Sequence, residues 1–221
     1  MTEEATQNSY YEIGGKKYPR VTHVLKVIEK PGLARWRGRV GNSEADRIAN
    51  EGAAIGTEFH GIVADINRGE HLKRGWQPPG KFRNMAYAYI DWLHHEVDSV
   101  EAVEQLVYSD EHSYAGTLDL LVKFKNDPLP SIVDVKTSNY VSADWPLQLA
   151  AYRKALREQG TDTYRRVIIR VPKTGDGEPE LYDYRNHEED EAMWLNILQL
   201  WNWMRDDKER QKQAFMPAGL E

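Results

Sequence analysis

The stretch SIVDVKTSN, residues 131–139, begins like a buried strand and then becomes charged. Ile132 and Val133 are apolar, whereas Asp134 and Lys136 follow two residues apart. Because side chains alternate across a strand with a period of two, this acid and this lysine project from the same face. Their arrangement indicates either a salt bridge on an edge strand or a catalytic pair.

A second acid lies in the preceding predicted strand, YAGTLDLLVKF. Asp119 occupies the middle of that strand, where a carboxylate is costly unless it is paired or bound to a metal. If the two strands are neighbours, Asp119 and Asp134 converge, and a divalent cation would relieve their repulsion. Oxygen ligands suit Mg²⁺ or Mn²⁺, and Lys136 would then orient a water or stabilise charge on a phosphate. We therefore predict that these three residues act together.

Gln148 and Tyr152 stand four residues apart in a predicted helix that follows the strand ending at Lys136. This spacing puts both side chains on one helix face, and the start of the helix should lie near the carboxyl end of the sheet. Tyr152 fits a packed core equally well. Gln148 is harder to explain as a core residue, so the pair is a candidate addition to the site.

The order of the predicted elements gives the fold class. YYEIGGKKYPRVT is expected to form a hairpin turning at Gly14-Gly15, followed by a short helix that is capped by Thr22 and stopped at Pro31. Two helices, EADRIANEGAAIG and TEFHGIVADINRG, come next, and then one in KFRNMAYAYIDWLHHEV. Three strands follow, predicted in EQLVYS, TLDLLVKF and SIVDVK. A helix capped by Asp144 and a fourth strand, RRVIIRV, come after them. Short loops imply antiparallel pairs, and the strand–helix–strand unit implies a parallel pair with a right-handed crossover.

Composition excludes several classes of protein. The chain of 221 residues has no cysteine, which excludes disulfides, cysteine-based zinc sites and cysteine-ligated iron–sulfur clusters. No apolar run approaches the roughly 20 residues of a membrane span, and the acidic N-terminus is unlike a signal peptide. We therefore expect a cytoplasmic protein with no membrane partner. The net charge of −6 argues against a generally basic nucleic-acid binder.

The charge is nevertheless uneven, because residues 16–40 hold eight Lys/Arg and one acid. Within this segment three arginines surround a tryptophan, namely Arg35, Trp36, Arg37 and Arg39. Arginines pair with phosphates and an exposed aromatic ring can stack on a base, so the segment is a candidate nucleic-acid-binding surface. Lys26, which follows Leu25, extends it. The alternative is a solvated basic helix with Trp36 buried.

The motifs GTLD, DVK and QLAAY, in this order and spacing, resemble those of PD-(D/E)XK nucleases of the RecB-like exonuclease branch. GTEFH resembles the Gly-Thr-x-x-His helix motif of that branch, and YPRVTHVL is also similar to these proteins, which include mitochondrial genome maintenance exonucleases and phage exonucleases. The likeness covers roughly residues 18–205. It implies an α/β fold with an αβββαβ, restriction-endonuclease-like core, a mixed sheet and additional N-terminal helices. We expect residues 1–78 to form the N-terminal hairpin and helical region, and residues 79–221 the core with its C-terminal helix.

The resemblance also implies roles for residues. The implied metal ligands are Asp119, Asp134, the Val135 carbonyl, Glu104 and His60. Lys136 would be the catalytic lysine, and Gln148 and Tyr152 would position the substrate or the other site residues. For His60, which lies between Phe59 and Ile62, the alternative is a histidine that only packs in a helix.

Together these observations predict a Mg²⁺- or Mn²⁺-dependent deoxyribonuclease without an iron–sulfur cluster. We expect an exonuclease that acts on DNA that is single-stranded or has free ends. The expected setting is recombination, repair or phage DNA processing in a bacterial or phage-infected cell, with recombination or replication proteins as partners. Two alternatives stay open: a restriction-type or structure-specific endonuclease of the same superfamily, and a non-catalytic DNA-binding module on this fold.

Overall fold

The structure, a computed structural model, describes residues 9–173 and 178–205, which form a small hairpin, six α-helices and a five-stranded sheet. In chain order the elements are β1 (Tyr10–Ile13), β2 (Lys16–Pro19), α1 (Val21–Val24), α2 (Pro31–Val40), α3 (Asn42–Asn67), α4 (Arg83–Glu96), β3 (Val97–Ser109), β4 (Tyr114–Phe124), β5 (Ser131–Lys136), α5 (Trp145–Glu158), β6 (Arg166–Arg170), β7 (Glu180–Asp183) and α6 (His187–Arg205). Short 3₁₀ turns occupy Leu25–Val27, Glu70–Leu72 and Gly80–Phe82.

The central sheet is mixed, with the strand order β3-β4-β5-β6-β7. β3, β4 and β5 pair antiparallel in succession, β5 and β6 pair parallel, and β7 adds an antiparallel edge. The parallel pair is joined by α5, as expected for a strand–helix–strand crossover. The sequence α4-β3-β4-β5-α5-β6 confirms the predicted αβββαβ core.

Helices cover both faces of this sheet and bury two apolar cores. On one face α1, α5 and α6 enclose large side chains such as Tyr114, Tyr152 and Trp194. On the other face the second half of α3 and the middle of α4 pack against the sheet, with Phe59 and Tyr89 fully buried. Because burial of apolar surface is the dominant favourable term in folding, these two cores fix α3 and α5 against opposite faces of the strands.

The N-terminal helices differ in detail from the sequence prediction. Thr22 does not cap the first helix but lies inside α1, with Arg20 at the cap position. Pro31 does not stop a helix; it is the first residue of α2, where its missing N–H group is tolerated. Asp144 stands at the start of α5 without a side-chain capping bond, and its carboxylate instead accepts a hydrogen bond from Lys30 at 2.8 Å.

The two helices predicted between residues 44 and 69 are one continuous helix, α3. Gly56 was the expected break, but a single glycine costs a helix only about 1 kcal/mol relative to alanine. Burial of Phe59, Ile62 and Ile66 in the following turns outweighs that cost. The described part of the chain contains no helix long and apolar enough to span a membrane.

Candidate active site

Two neighbouring strands separate at the point where the two predicted acids lie. In the described sheet β4 and β5 pair across Leu120–Val122 and Ser131–Val133, and the pairing goes no further. Asp119 and Asp134 are the next residues on the two strands. Asp119 Oδ2 accepts a hydrogen bond from the Val135 N–H at 2.8 Å, so a carboxylate takes the place of a backbone carbonyl in this gap. We call the gap the strand fork.

Asp134 and Lys136 project from one face of β5, as their spacing predicts. The Lys136 Nζ lies 2.6 Å from Asp134 Oδ2, and the Asp134 side chain is only 1% exposed. Gln148 Nε2 donates to Asp134 Oδ1 at 2.7 Å, while Lys136 Nζ donates to Gln148 Oε1 at 3.3 Å. The amide of Gln148 therefore bridges the acid and the lysine and fixes their relative orientation.

Tyr152 completes this network from the next turn of α5. Its hydroxyl accepts a hydrogen bond from Gln148 Nε2 at 3.1 Å. Its ring lies directly against β4 at Gly116, where a Cβ atom would approach Tyr152 Cε1 more closely than 3.0 Å. The glycine of the GTLD motif is therefore required by close packing of the tyrosine against the strand.

His60 approaches the fork from the opposite helix layer. Its neighbours Phe59 and Ile62 anchor α3 in the core, and its Nδ1 lies 3.2 Å from Asp119 Oδ2. Burial alone would lower the pKa of His60, but the hydrogen bond and the negative charge of Asp119 raise it above its ordinary value. The imidazole thus faces an acid, and its side chain is 28% exposed rather than enclosed in the core.

Glu104 lies opposite Asp119 across the β3–β4 ladder, between the pairs Val103–Leu120 and Gln105–Leu118. Its φ of 53° falls in the left-handed region, which is uncommon for residues other than glycine and often accompanies functional sites. Burial raises the pKa of Glu104, and the charge of Asp119 raises it further. The backbone is therefore strained where this carboxylate joins the cluster.

The donor set at the fork fits a divalent cation. Ligand atoms of His60, Glu104 and Asp119 lie within 4.8 Å of one another. Asp134 stands outside this group of three, held by Lys136 and Gln148, and its Oδ2 has no aligned hydrogen bond. Burial raises the pKa of Asp134 to about 6, against the attraction of Lys136 and with the repulsion of Asp119 added. A cation at this position would offset the unfavourable burial of negative charge.

Asp119 differs from Asp134 in how its charge is held. Burial alone would raise the pKa of Asp119, but the hydrogen bond from His60 and the charges of His60 and Lys136 bring it below its ordinary value. Lys136 stays cationic, because the charges of Asp134 and Asp119 raise its pKa although burial opposes this. The structure places the Val135 N–H in the cluster; a ligand role for the Val135 carbonyl stays a prediction.

The basic segment is not drawn into the fork. Within the described chain α2 has no buried residue, and no hydrogen bond or ion pair links it to Asp119 or Asp134. Arg37 is paired with Asp46 at 2.5 Å and Trp36 is half-buried. Arg35 and Arg39 are exposed, as is Lys26, whereas its neighbour Leu25 belongs to the core. Binding of nucleic acid by this segment stays a prediction.

The N-terminal hairpin contacts β4 close to the fork, a contact that was not predicted from the sequence. The Tyr11 hydroxyl is 2.8 Å from Thr117 Oγ1, two residues before Asp119 on β4. Residues 106 positions apart are in contact at this point, and no periodicity or motif spacing in the sequence reports such a contact.

Comparisons with known proteins identify the family. The chain is similar to the crystal structure of the protein SSO0001, with 13% identity and a TM-score of 0.45, over 98% of this chain and 93% of that one. It is also similar to the crystal structure of a "Putative exonuclease" from Eubacterium rectale, with 11% identity and a TM-score of 0.41, over 97% of this chain and 88% of that one. No curated protein matches the chain. A model of the PD-(D/E)XK nuclease superfamily matches residues 34–216, which include the fork and both helices that supply it. The chain therefore belongs to the PD-(D/E)XK nuclease superfamily.

Proposed function

We propose that the protein is a deoxyribonuclease that uses Mg²⁺ or Mn²⁺ and removes nucleotides from DNA ends. Membership of a nuclease superfamily makes it a hydrolase that acts on nucleic acid. The observation that carries the finer proposal is the meeting of Asp119, Asp134 and Lys136 at one strand fork, with His60 and Glu104 beside Asp119.

The cation would be held by His60, Glu104 and Asp119, with Asp134 adjacent. When bound, it supplies a Lewis acid that lowers the pKa of a water and offsets phosphate charge. The His60 imidazole is a borderline ligand that favours Mn²⁺, whereas the carboxylates suit both Mn²⁺ and Mg²⁺.

The chain's own residues prepare the reaction in three ways. Lys136 presents a permanent positive charge to a phosphate oxygen, which stabilises the charge that develops there. Gln148 holds Asp134 and Lys136 at fixed positions, and Tyr152 holds Gln148 in turn. Such preorganisation matters because small displacements of reacting groups are expensive in rate.

Action on DNA ends is supported by the set of motifs that resembles the RecB-like exonuclease branch: GTEFH, GTLD, DVK and QLAAY. The setting we propose is recombination, repair or phage DNA processing in a bacterial or phage-infected cell, in which recombination or replication proteins would be partners. An endonuclease of the same superfamily would use the same fork. The two functions therefore differ in whether the enzyme needs a free DNA end.

Linear and circular DNA of one sequence separate these two functions. The protein should be incubated with end-labelled single-stranded and double-stranded linear DNA and with covalently closed circles, in Mg²⁺, Mn²⁺ or a chelator. We expect loss of label from a linear substrate in metal, intact circles, and no reaction in chelator. Cleavage of circles as fast as of linear DNA would replace the exonuclease proposal with the endonuclease one. Binding without metal-dependent cleavage of any substrate would favour the DNA-binding module.

A further inference from the structure

Arg20, at the end of the N-terminal hairpin, carries a positive charge that has no acidic partner among the described residues. Its guanidinium lies over the ring of Tyr11, 4.1 Å from the centroid, and Nη1 donates to the Tyr11 hydroxyl at 3.2 Å. The Nε atom is buried and makes no hydrogen bond. Among residues 9–173 and 178–205 no carboxylate forms an ion pair with it. Within this part of the chain, Nη1 therefore has a hydrogen-bond partner and Nε has none.

The lack of an acidic partner in the described part of the chain distinguishes Arg20 from the other arginines that are buried or half-buried. Five other described arginines are buried or half-buried, and each pairs with an acid: Arg37 with Asp46, Arg153 with Glu191, Arg165 with Asp127, Arg166 with Asp190, and Arg170 with Glu180. A partly buried charge without a counter-charge is costly, so Arg20 is suited to a negative partner that lies outside the described residues.

The position of Arg20 indicates what that partner is. Its backbone forms a bridge to Ala115 at the start of β4, and Tyr11 hydrogen-bonds to Thr117 Oγ1 at 2.8 Å. Thr117 is two residues before Asp119, about 7 Å along the strand. The guanidinium is thus held next to β4, on the stretch that leads directly into the strand fork.

We propose that Arg20 binds a phosphate of the DNA strand as it enters the fork, with Tyr11 and Thr117 fixing the guanidinium. A planar guanidinium with free N–H groups matches two phosphate oxygens at once, and the Tyr11 ring supports its plane from one side. This proposal rests on the proposed function, because it takes DNA as the substrate. Arg20 is a binding residue and contacts no group that reacts.

DNA binding in a chelator tests the proposal without cleavage. Arg20→Gln should weaken binding of single-stranded DNA about tenfold, as loss of one charge-assisted contact does. The slope of log affinity against log salt should become shallower by about 0.7, because one fewer phosphate of the single strand is neutralised. Arg185→Gln is the matched control: Arg185 is an exposed arginine paired with Asp183 on the edge strand β7, and its loss should leave affinity and slope unchanged.

Two milder variants keep the proposal falsifiable if Arg20→Gln lowers the melting temperature. Arg20→Lys should preserve the salt slope while losing part of the affinity, because charge remains but the bidentate geometry does not. Tyr11→Phe keeps the stacking ring and removes the hydroxyl, so affinity should fall by a smaller factor. Unchanged affinity and slope in folded Arg20→Gln, or in both milder variants, would overturn the proposal.

Failure of this proposal differs from failure of the proposed function. In metal, Arg20→Gln should raise KM for DNA and leave kcat at saturating substrate close to wild type. If wild type cleaves DNA and Arg20→Gln has the same KM as wild type, only the phosphate site is contradicted. If Arg20→Gln binds DNA more weakly than wild type but wild type never cleaves DNA, only the nuclease proposal is contradicted.

Discussion

At the scale of single residues, the strand fork holds charged side chains in a buried position, where a charge is costly unless it is paired. Asp134 is buried, and its carboxylate depends on the Lys136 ammonium and the Gln148 amide for compensation. Removing one member of a buried charged group leaves the others without compensation. Each of these side chains therefore stabilises its neighbours, in addition to the role that we propose for it in the reaction.

The His60 imidazole is predicted to tune the choice of metal. His60→Ala should reduce activity on the order of tenfold to a hundredfold and lower the ratio of Mn²⁺-supported to Mg²⁺-supported activity, because an imidazole ligand favours Mn²⁺. Activity in each metal and the melting temperature should be measured on the same preparation. His95→Ala, at the exposed end of α4, is the control and should leave both quantities unchanged. A loss of stability with an unchanged metal ratio would assign His60 to packing alone.

Gly116 is predicted to be intolerant of any side chain. Gly116→Ala would force a Cβ atom into the Tyr152 ring, and overpacking of this kind costs about 1–3 kcal/mol. The free energy of unfolding should fall, and activity should fall with it because Tyr152 holds Gln148. Gly61→Ala, on α3 with nothing within 4 Å of its added Cβ, should instead raise stability by up to about 1 kcal/mol. Equal stability of the two variants, measured in denaturant, would contradict this packing argument.

Single residues also show how far sequence reasoning reaches into the site. The period of a strand placed Asp134 and Lys136 on one face, and the period of a helix placed Gln148 and Tyr152 together, because both relations are local. The left-handed φ of Glu104 was not predictable, since it depends on how β3 pairs with β4 beside the fork. The Arg20–Tyr11–Thr117 contact joins distant parts of the chain and likewise left no local signal.

At the scale of elements, α6 is fastened to the sheet by a buried arginine. Arg166 on β6 is fully buried; it donates to Asp190 at 2.6 Å and, through Nε, to His187 Nδ1 at 2.9 Å. Arg153 on α5 is bonded to Glu191 of α6 at 2.5 Å. The first turn of α6 is therefore tied to both a strand and a neighbouring helix.

This junction is predicted to weaken in mild acid. Burial lowers the pKa of His187, and the charges of Arg153 and Arg166 lower it further, against opposing effects of Glu191 and Asp183. The unfolded chain therefore takes up the proton more readily, so the contribution of His187 is complete above a pH of about 6.5 and is lost as pH falls below it. Because His187 is only half-buried, the effect should be small, roughly 1–2 °C in Tm.

Melting curves at a pH of about 7.5 and about 5.5, on either side of the ordinary histidine pKa, measure this effect. His187→Gln cannot take up that proton, so its Tm should fall less than that of the wild type between the two values. A larger fall in the variant than in the wild type would contradict the predicted direction of the pKa shift.

The helices were predicted less well than the strands, for a physical reason. Glycine and proline were taken as helix boundaries, yet Gly56 lies inside α3 and Pro31 opens α2. Glycine and proline indicate a helix end only weakly: packing of the helix overrides that preference at Gly56, and the first turn of a helix tolerates Pro31. The strands were found because apolar runs with an interrupting acid are distinctive, although β3 begins at Val97, seven residues before the predicted EQLVYS strand.

At the scale of the whole molecule, the N-terminal segment takes part in the core rather than standing apart from it. Phe59 and Ile66 of α3 share one apolar core with α4 and with Val133 and Val135 of β5. The same packing that stabilises the sheet therefore delivers His60 to the fork. A domain boundary near residue 78 stays a prediction.

The overall charge of −6 is compatible with a DNA substrate only if positive charge is local. Lys136 provides such charge beside Asp134, and a bound cation would add to it. Arg20 would add positive charge further along β4, near Thr117. Without metal, the acids of the fork repel the DNA backbone. A cation held between these acids and a phosphate would replace that repulsion with attraction.

Cleavage of end-labelled linear DNA by wild type, Asp134→Asn and Lys136→Ala, together with metal binding by calorimetry, tests whether the strand fork is a metal-dependent catalytic site. Wild type should degrade the DNA in Mg²⁺ or Mn²⁺ and not in chelator. Both variants should stay folded and inactive, and Lys136→Ala should still bind metal, because its amine is not a ligand. Substantial metal-dependent cleavage by folded Asp134→Asn would contradict the assignment of this fork as the active site.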